Sequence, residues 1–94
     1  MGICVLSVEA RKTIQCFPIN IKEYDAYSNG IHEITSKIPS TLYKMDLYNN
    51  MITVLFDIPD TLRWLDIANN DLSKLPKNIK VLDHLDISYN VNLY

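Results

Sequence analysis

The phrase "IPSTLYKMDLYNN" at positions 38–50 returns almost unchanged as "IPDTLRWLDIANN" at positions 58–70. Self-similarity at a fixed period constrains architecture more than local propensity does, because each copy must pack against the next to bury its apolar side. The step can be read from two columns: Asn29, Asn50, Asn70 and Asn90 are separated by 21, 20 and 20 residues, and Ile21, Leu42, Leu62 and Leu82 keep the same spacing. Further apolar columns run through Tyr24, Met45, Leu65 and Leu85, through Ala26, Leu47, Ile67 and Ile87, through Ile31, Ile52 and Leu72, and through Ile34, Leu55 and Leu75. Pro18, Pro39 and Pro59 form another, each preceded by a bulky apolar residue, Phe17, Ile38 or Ile58.

Within each unit the apolar residues alternate, which is the signature of a strand with one buried face, about three to five residues long. A strand so short is unstable alone, but copies stacked at about 4.8 Å make a parallel sheet. The return of each coil has about nine residues and contains Pro, so it suits an extended path better than an α-helix.

The stretches "LYKMDLYNNMI" and "LRWLDIANNDL", and less tightly "IKEYDAYSNGI", resemble the leucine-rich repeat consensus L-x-x-L-x-L-x-x-N-x-L. The 20-residue step and the Pro ahead of the first Leu resemble the short subtype of bacterial type III secreted effectors. The resemblance covers residues 14–94 and implies a leucine-rich repeat solenoid. Short parallel β-strands would line its concave face and extended, polyproline-like or 3-10 segments its convex face, with little α-helix. We expect one domain over 1–94: a cap or degenerate repeat over 1–16, repeats over 17–37, 38–57 and 58–77, and an incomplete one over 78–94. Sliding back 20 residues puts Cys4 and Leu6 on core columns and Ile14 on the last one. Residues 3–8 are thus expected as an edge strand, and "SVEARK" as one helical turn started by Ser7.

Composition excludes more than it identifies. A chain of 94 residues has room for one core, and a formal charge of −2 points to neither nucleic acid nor an anionic membrane. The longest uncharged run, Thr13 to Ile21, falls short of the roughly 18 to 20 apolar residues a membrane span needs. No basic region precedes the apolar start "MGICVLSVEARK", so no secretory signal is expected, and Leu6 stands where acylation at Gly2 would want Ser or Thr. Cys4 and Cys16 are few for a secreted scaffold and read as reduced, in an intracellular, cytoplasmic setting, with a single disulfide left open.

Reactive groups do not converge along the chain. His84 falls in the sheet, His32 beyond an Asn turn two units away, and the cysteines in the first coil, which leaves no evident Cys–His pair. No C-x-x-C or H-x-x-x-H spacing occurs, and Gly2 and Gly30 alone cannot make a phosphate loop. We expect no catalysis, no metal and no cofactor. The Asn column, Asn29, Asn50, Asn70 and Asn90, is expected to satisfy backbone groups where each strand turns into the coil.

What remains is the outward side of the sheet. Neighbours in a strand point opposite ways, so three files face solvent: Glu23, Lys44, Trp64, His84; Asp25, Asp46, Asp66, Asp86; and Tyr27, Tyr48, Ala68, Ser88. Aspartates about 5 Å apart in water repel by roughly 0.8 kcal/mol per pair, which Lys44 and Arg63 are placed to offset. Such a row reads in two ways, as local hydrogen bonding within an L-D-L strand or as a surface for a basic partner. Trp64 likewise reads as cover for neighbouring strands or as an exposed anchor beside Tyr48 and His84.

The family resemblance implies an intracellular module that binds a protein, here one bearing Lys or Arg. The effector-like subtype, together with Ile-, Asn-, Lys- and Tyr-rich usage suggestive of an AT-rich genome, extends this to a pathogen or large-DNA-virus protein acting on a host partner. The alternative is assembly, with the C-terminal edge, where apolar columns end at Leu85, Ile87 and Leu93, pairing to form a homodimer or joining a larger complex.

Overall fold

The computed structural model describes residues 12–55, 57–77, 79 and 82–93. Six short strands appear in it: β1 (Lys12–Ile14), β2 (Glu23–Asp25), β3 (Ile31–Ile34), β4 (Lys44–Asp46), β5 (Trp64–Asp66) and β6 (His84–Asp86). β2, β4, β5 and β6 lie side by side in that order, and β1 and β3 form a separate pair, every pairing being parallel. Register follows the repeat step: Tyr24 pairs with Met45, Met45 with Leu65 and Leu65 with Leu85. The result is a parallel β-solenoid with almost no helix among the described residues, the architecture the period implies.

Alternation positions the faces. In β4 and β5 the central residue is buried and its two neighbours are half-buried on the outward side. Leu42, Met45, Leu47 and Ile52 of one coil stack on Leu62, Leu65, Ile67 and Leu72 of the next, all with 0% exposure. Each such side chain contributes about 1.5–3 kcal/mol of burial, set against the ordering of an otherwise irregular chain.

The corners are built from two devices. After each strand of the four-stranded sheet the chain passes through one left-handed residue, Ser28, Asn49, Asn69 or Tyr89, with φ between 55° and 58°. Asn and Ser tolerate that region because a short polar side chain bonds locally; Tyr does not share this advantage. Before each strand, the Pro39 carbonyl accepts from the Leu42 N–H at 3.2 Å and the Pro59 carbonyl from the Leu62 N–H at 3.1 Å. Ile79 stands in the proline column of the next coil and makes the same turn, its carbonyl 3.2 Å from the Leu82 nitrogen. Loss of the proline there changes the sequence pattern but not the turn.

The return side holds more order than an extended path requires. β1 pairs with β3, Ile14 lying opposite Ile34, with an irregularity between Lys12 and Thr13. Carbonyls of Ile31, Ile52 and Thr53 accept from the N–H groups of Met51, Asp71 and Ser73 at 2.7–3.1 Å, so this side too is laced coil to coil. The strand expected over 3–8 and the helical turn from Ser7 lie outside the described residues, apart from Lys12, which is extended in β1. At the other end Leu93 packs against the core while Val91 is exposed.

One expectation is corrected. Cys16 is disulfide-bonded rather than reduced, and Cys4 lies outside the described residues. Separation along the chain does not report the distance between two thiols, which the coil decides. The argument for a reducing compartment from unpaired thiols therefore falls away. Among the described residues no helix is long and apolar enough to cross a membrane.

Candidate functional site

The four-stranded sheet brings the ten candidate binding residues onto one surface as three parallel files. Glu23 pairs with Lys44, Lys44 with Trp64 and Trp64 with His84, while Asp25, Asp46, Asp66 and Asp86 stand in the neighbouring file in the same register. Tyr27 and Tyr48 begin the third file with 54% and 43% of their surface exposed, and Ala68 continues it as a buried residue.

The first file is a chain of contacts. Glu23 Oε1 lies 3.9 Å from Lys44 Nζ, and the same ammonium sits 4.8 Å from the centroid of the Trp64 ring. On its other side Trp64 stacks against His84, centroids 4.7 Å apart and planes 11° from parallel. Trp64 is accordingly half-buried between its neighbours. Cation–π and stacking contacts of this kind are each worth about 0.5–1.5 kcal/mol. Lys44 is directed to Glu23 and Trp64, and Arg63 Nη1 donates to the carbonyls of Asp60 and Leu62.

In the middle file one oxygen of every carboxylate is used locally. Oδ1 of Asp46, Asp66 and Asp86 accepts from the N–H two residues on, in Tyr48, Ala68 and Ser88, at 3.0 Å, and Asp25 from Tyr27 at 3.5 Å. Asp86 Oδ1 also accepts from the Ser88 hydroxyl at 2.7 Å. This difference divides the file. Burial pushes the Asp66 carboxyl up, aided by the charges of Asp46 and Asp86 and opposed by the Ala68 N–H. The Ser88 hydroxyl and N–H hold the Asp86 carboxyl below its usual range. Beside the first file, the negative charge of Glu23 raises the Tyr43 phenol.

Beneath the surface runs the Asn column. Asn50 Oδ1 accepts from the N–H groups of Asn29 and Ile31, both at 3.0 Å, and its Nδ2 donates to the carbonyls of Ala26 and Leu47. Asn70 does the same work for Ile52 N–H, Leu47 and Ile67, and Asn90 for Leu72 N–H, Ile67 and Ile87. Asn29 differs, being half-exposed, and among the described residues its amide donates only to the Tyr27 carbonyl.

Two further ladders were not singled out by sequence reasoning. Thr41 and Thr61 donate through Oγ1 to the carbonyls of Ile21 and Leu42 in the coil before, at 2.6 and 2.9 Å. Asn69 Nδ2 donates to Asn49 Oδ1 at 2.7 Å, and Asn49 Nδ2 to Ser28 Oγ at 3.0 Å. The signal for both was identity between the two phrases, "PSTL" with "PDTL" and "YNN" with "ANN".

Reactive side chains stay apart. His32 is in β3, its Nδ1 buried and without a partner among the described residues, while His84 lies against Trp64 in the other sheet. Among the described residues no group of three or more His, Cys, Asp or Glu could hold a metal ion. A groove of about 590 Å³ lies between two return segments, floored by Ile34, Ile38, Leu55 and Ile58, and no residue of the four-stranded sheet lines it.

Residues 61–82 match the Leucine Rich Repeat family. The stretch holds β5, the left-handed Asn69 and the buried Asn70, so the match falls on the coil in which the pattern is most complete. No curated protein and no solved structure gives a significant match to the chain. The fold is that of a leucine-rich repeat solenoid, and leucine-rich repeats typically act as non-enzymatic modules that mediate protein–protein interaction.

Proposed function

We propose that this leucine-rich repeat chain binds a protein partner through the outward, concave face of β2, β4, β5 and β6, the partner presenting Lys or Arg to the aspartate file. The observation that carries the reading is the shared register of Asp25, Asp46, Asp66 and Asp86 beside the Trp64–His84 stack and the exposed Tyr27 and Tyr48. Local bonds occupy Oδ1 of each carboxylate and leave Oδ2 for an incoming cation. Rigid aromatic area rimmed by charge is the composition of an interaction hot spot.

The chain's single Trp reports on this face directly. Titrating a Lys- and Arg-rich peptide should perturb Trp64 emission in a saturable, salt-sensitive way, since exposed charges are screened over about 10 Å at 0.1 M salt. Trp64→Ala with Asp66→Ala should abolish binding measured by calorimetry while unfolding stays cooperative, at a melting temperature lowered by the loss of the Lys44 and His84 contacts. Undiminished affinity in the double variant would remove this face from consideration. A host-directed role belongs to the same proposal and rests on the 20-residue step.

A second reading is assembly through β6. Among the described residues no strand pairs with its far edge, and Leu85 and Ile87 are only half-buried. Concentration-dependent mass in sedimentation, lost in a Leu85→Lys variant, would favour it over a monomeric binding module.

A further inference from the structure

We infer that Asn29–Gly30 is a self-modification site, where the chain converts Asn29 to aspartate and isoaspartate, and that the isoaspartate product unlocks the first corner of the sheet. The reaction needs the backbone nitrogen after an Asn to reach the side-chain carbonyl carbon, and a residue that leaves that approach unobstructed. Nine asparagines occur in the chain, and Gly follows only Asn29; Asn50, Asn70 and Asn90 precede Met51, Asp71 and Val91. Gly30 has φ +68°, and among the described residues no heavy atom beyond Gly30 and its two chain neighbours lies within 4 Å of where its Cβ would be, so no other part of the fold crowds that side of the attack.

Environment selects the same residue. Asn50, Asn70 and Asn90 are buried and hold two or more backbone groups each, which ties down their amides. Asn29 is half-exposed and among the described residues its amide makes one bond, to the Tyr27 carbonyl at 2.9 Å. The N–H groups of Asn29 and Ile31 are both tied to Asn50 Oδ1, and the Gly30 N–H between them has no hydrogen bond among the described residues. Among the described residues the nucleophile is therefore an amide with no hydrogen bond to give up.

The step balances without any oxidant or cofactor. The Gly30 nitrogen gives its proton to solvent base and bonds to Asn29 Cγ; Nδ2 takes up a proton and leaves as ammonia, closing a five-membered imide. Water then adds to one of the two imide carbonyls and opens the ring. Opening at the backbone carbonyl gives isoaspartate, which routes the main chain through one extra methylene. That methylene falls between the two N–H groups held by Asn50 Oδ1, which one fixed oxygen at 3.0 Å from each cannot keep together. Aspartate, from the other opening, leaves the main chain unchanged and the clamp in place.

The test ages the folded chain at pH 8 and follows it by peptide mass spectrometry with fragmentation that separates isoaspartate from aspartate, alongside hydrogen exchange. Expected are conversion at Asn29 ahead of every other Asn, loss of exchange protection at the Ile31 amide in the isoaspartate form alone, and no conversion in Gly30→Ala or Asn29→Gln. Asn50→Ala should speed conversion roughly tenfold, the factor given by about 1.4 kcal/mol of lost restraint. Unmodified Asn29 when another Asn has reacted would overturn the site. Protected Ile31 in the isoaspartate form would overturn the unlocking.

Discussion

The inner coils and the outer ones are written in the same phrase and packed differently. Met45 and Leu65, at the centres of β4 and β5, have no exposed surface, whereas Tyr24 and Leu85 in the same column of β2 and β6 are half-buried. The side chains of Asn50 and Asn70 are each bonded to two coils, while among the described residues the Asn29 side-chain amide makes one bond, within its own turn. A repeat unit thus encodes a shape, and its neighbours supply the stability, as expected of an array in which each coil touches only the next.

The sharpest way to break that comparison is to cut the same column at two places. Leu65→Ala should cost about 2–5 kcal/mol and Leu85→Ala clearly less, read by urea unfolding; equal losses would mean that burial does not grade from centre to end. The buried amides come next: Asn70→Ala should cost about 1–3 kcal/mol, because it leaves backbone groups unsatisfied, and Asn29→Ala under about 1 kcal/mol. In the opposite direction, Tyr89→Asn should stabilise by roughly 1 kcal/mol. Tyr89 holds φ 57° with 78% exposure, and Asn suits that angle at Asn49 and Asn69.

The smallest effects lie on the aspartate file, and their signs differ. Asp66 has a folded pKa raised above its ordinary 3.8, so its charge is disfavoured by folding at neutral pH and the penalty vanishes below that ordinary value. Asp66→Asn should therefore raise the melting temperature at pH 7, with the gain closing as pH falls below 3.8. Asp86 is lowered from the same value, so it stabilises above 3.8 and the contribution is lost as pH drops through its folded pKa. Asp86→Asn should lower the melting temperature at pH 7 and converge with wild type in acid. Matching signs at the two positions would show that Ser88 does not distinguish them.

The register was readable from the sequence because it follows from one number, the step between columns. Once Asn50 and Asn70 are aligned, Asp46 must lie beside Asp66, and it does. Contacts between side chains from different coils were not readable in the same way. Trp64 could be placed outward but not laid against His84, since that depends on rotamers chosen by four neighbouring strands. The state of Cys16 and the half-exposure of Asn29 are likewise set by what the coil puts next to them. The Thr41–Thr61 ladder was legible and overlooked, because a pattern written in apolar residues treats a repeated Thr as filler.

Every buried amide in the ladder reaches backwards. Asn50 serves Ala26, Asn29 and Ile31, Asn70 serves Leu47 and Ile52, and Asn90 serves Ile67 and Leu72. During synthesis a coil emerging from the ribosome would find its fastener in residues not yet made, so folding must trail elongation by about one turn of the spiral.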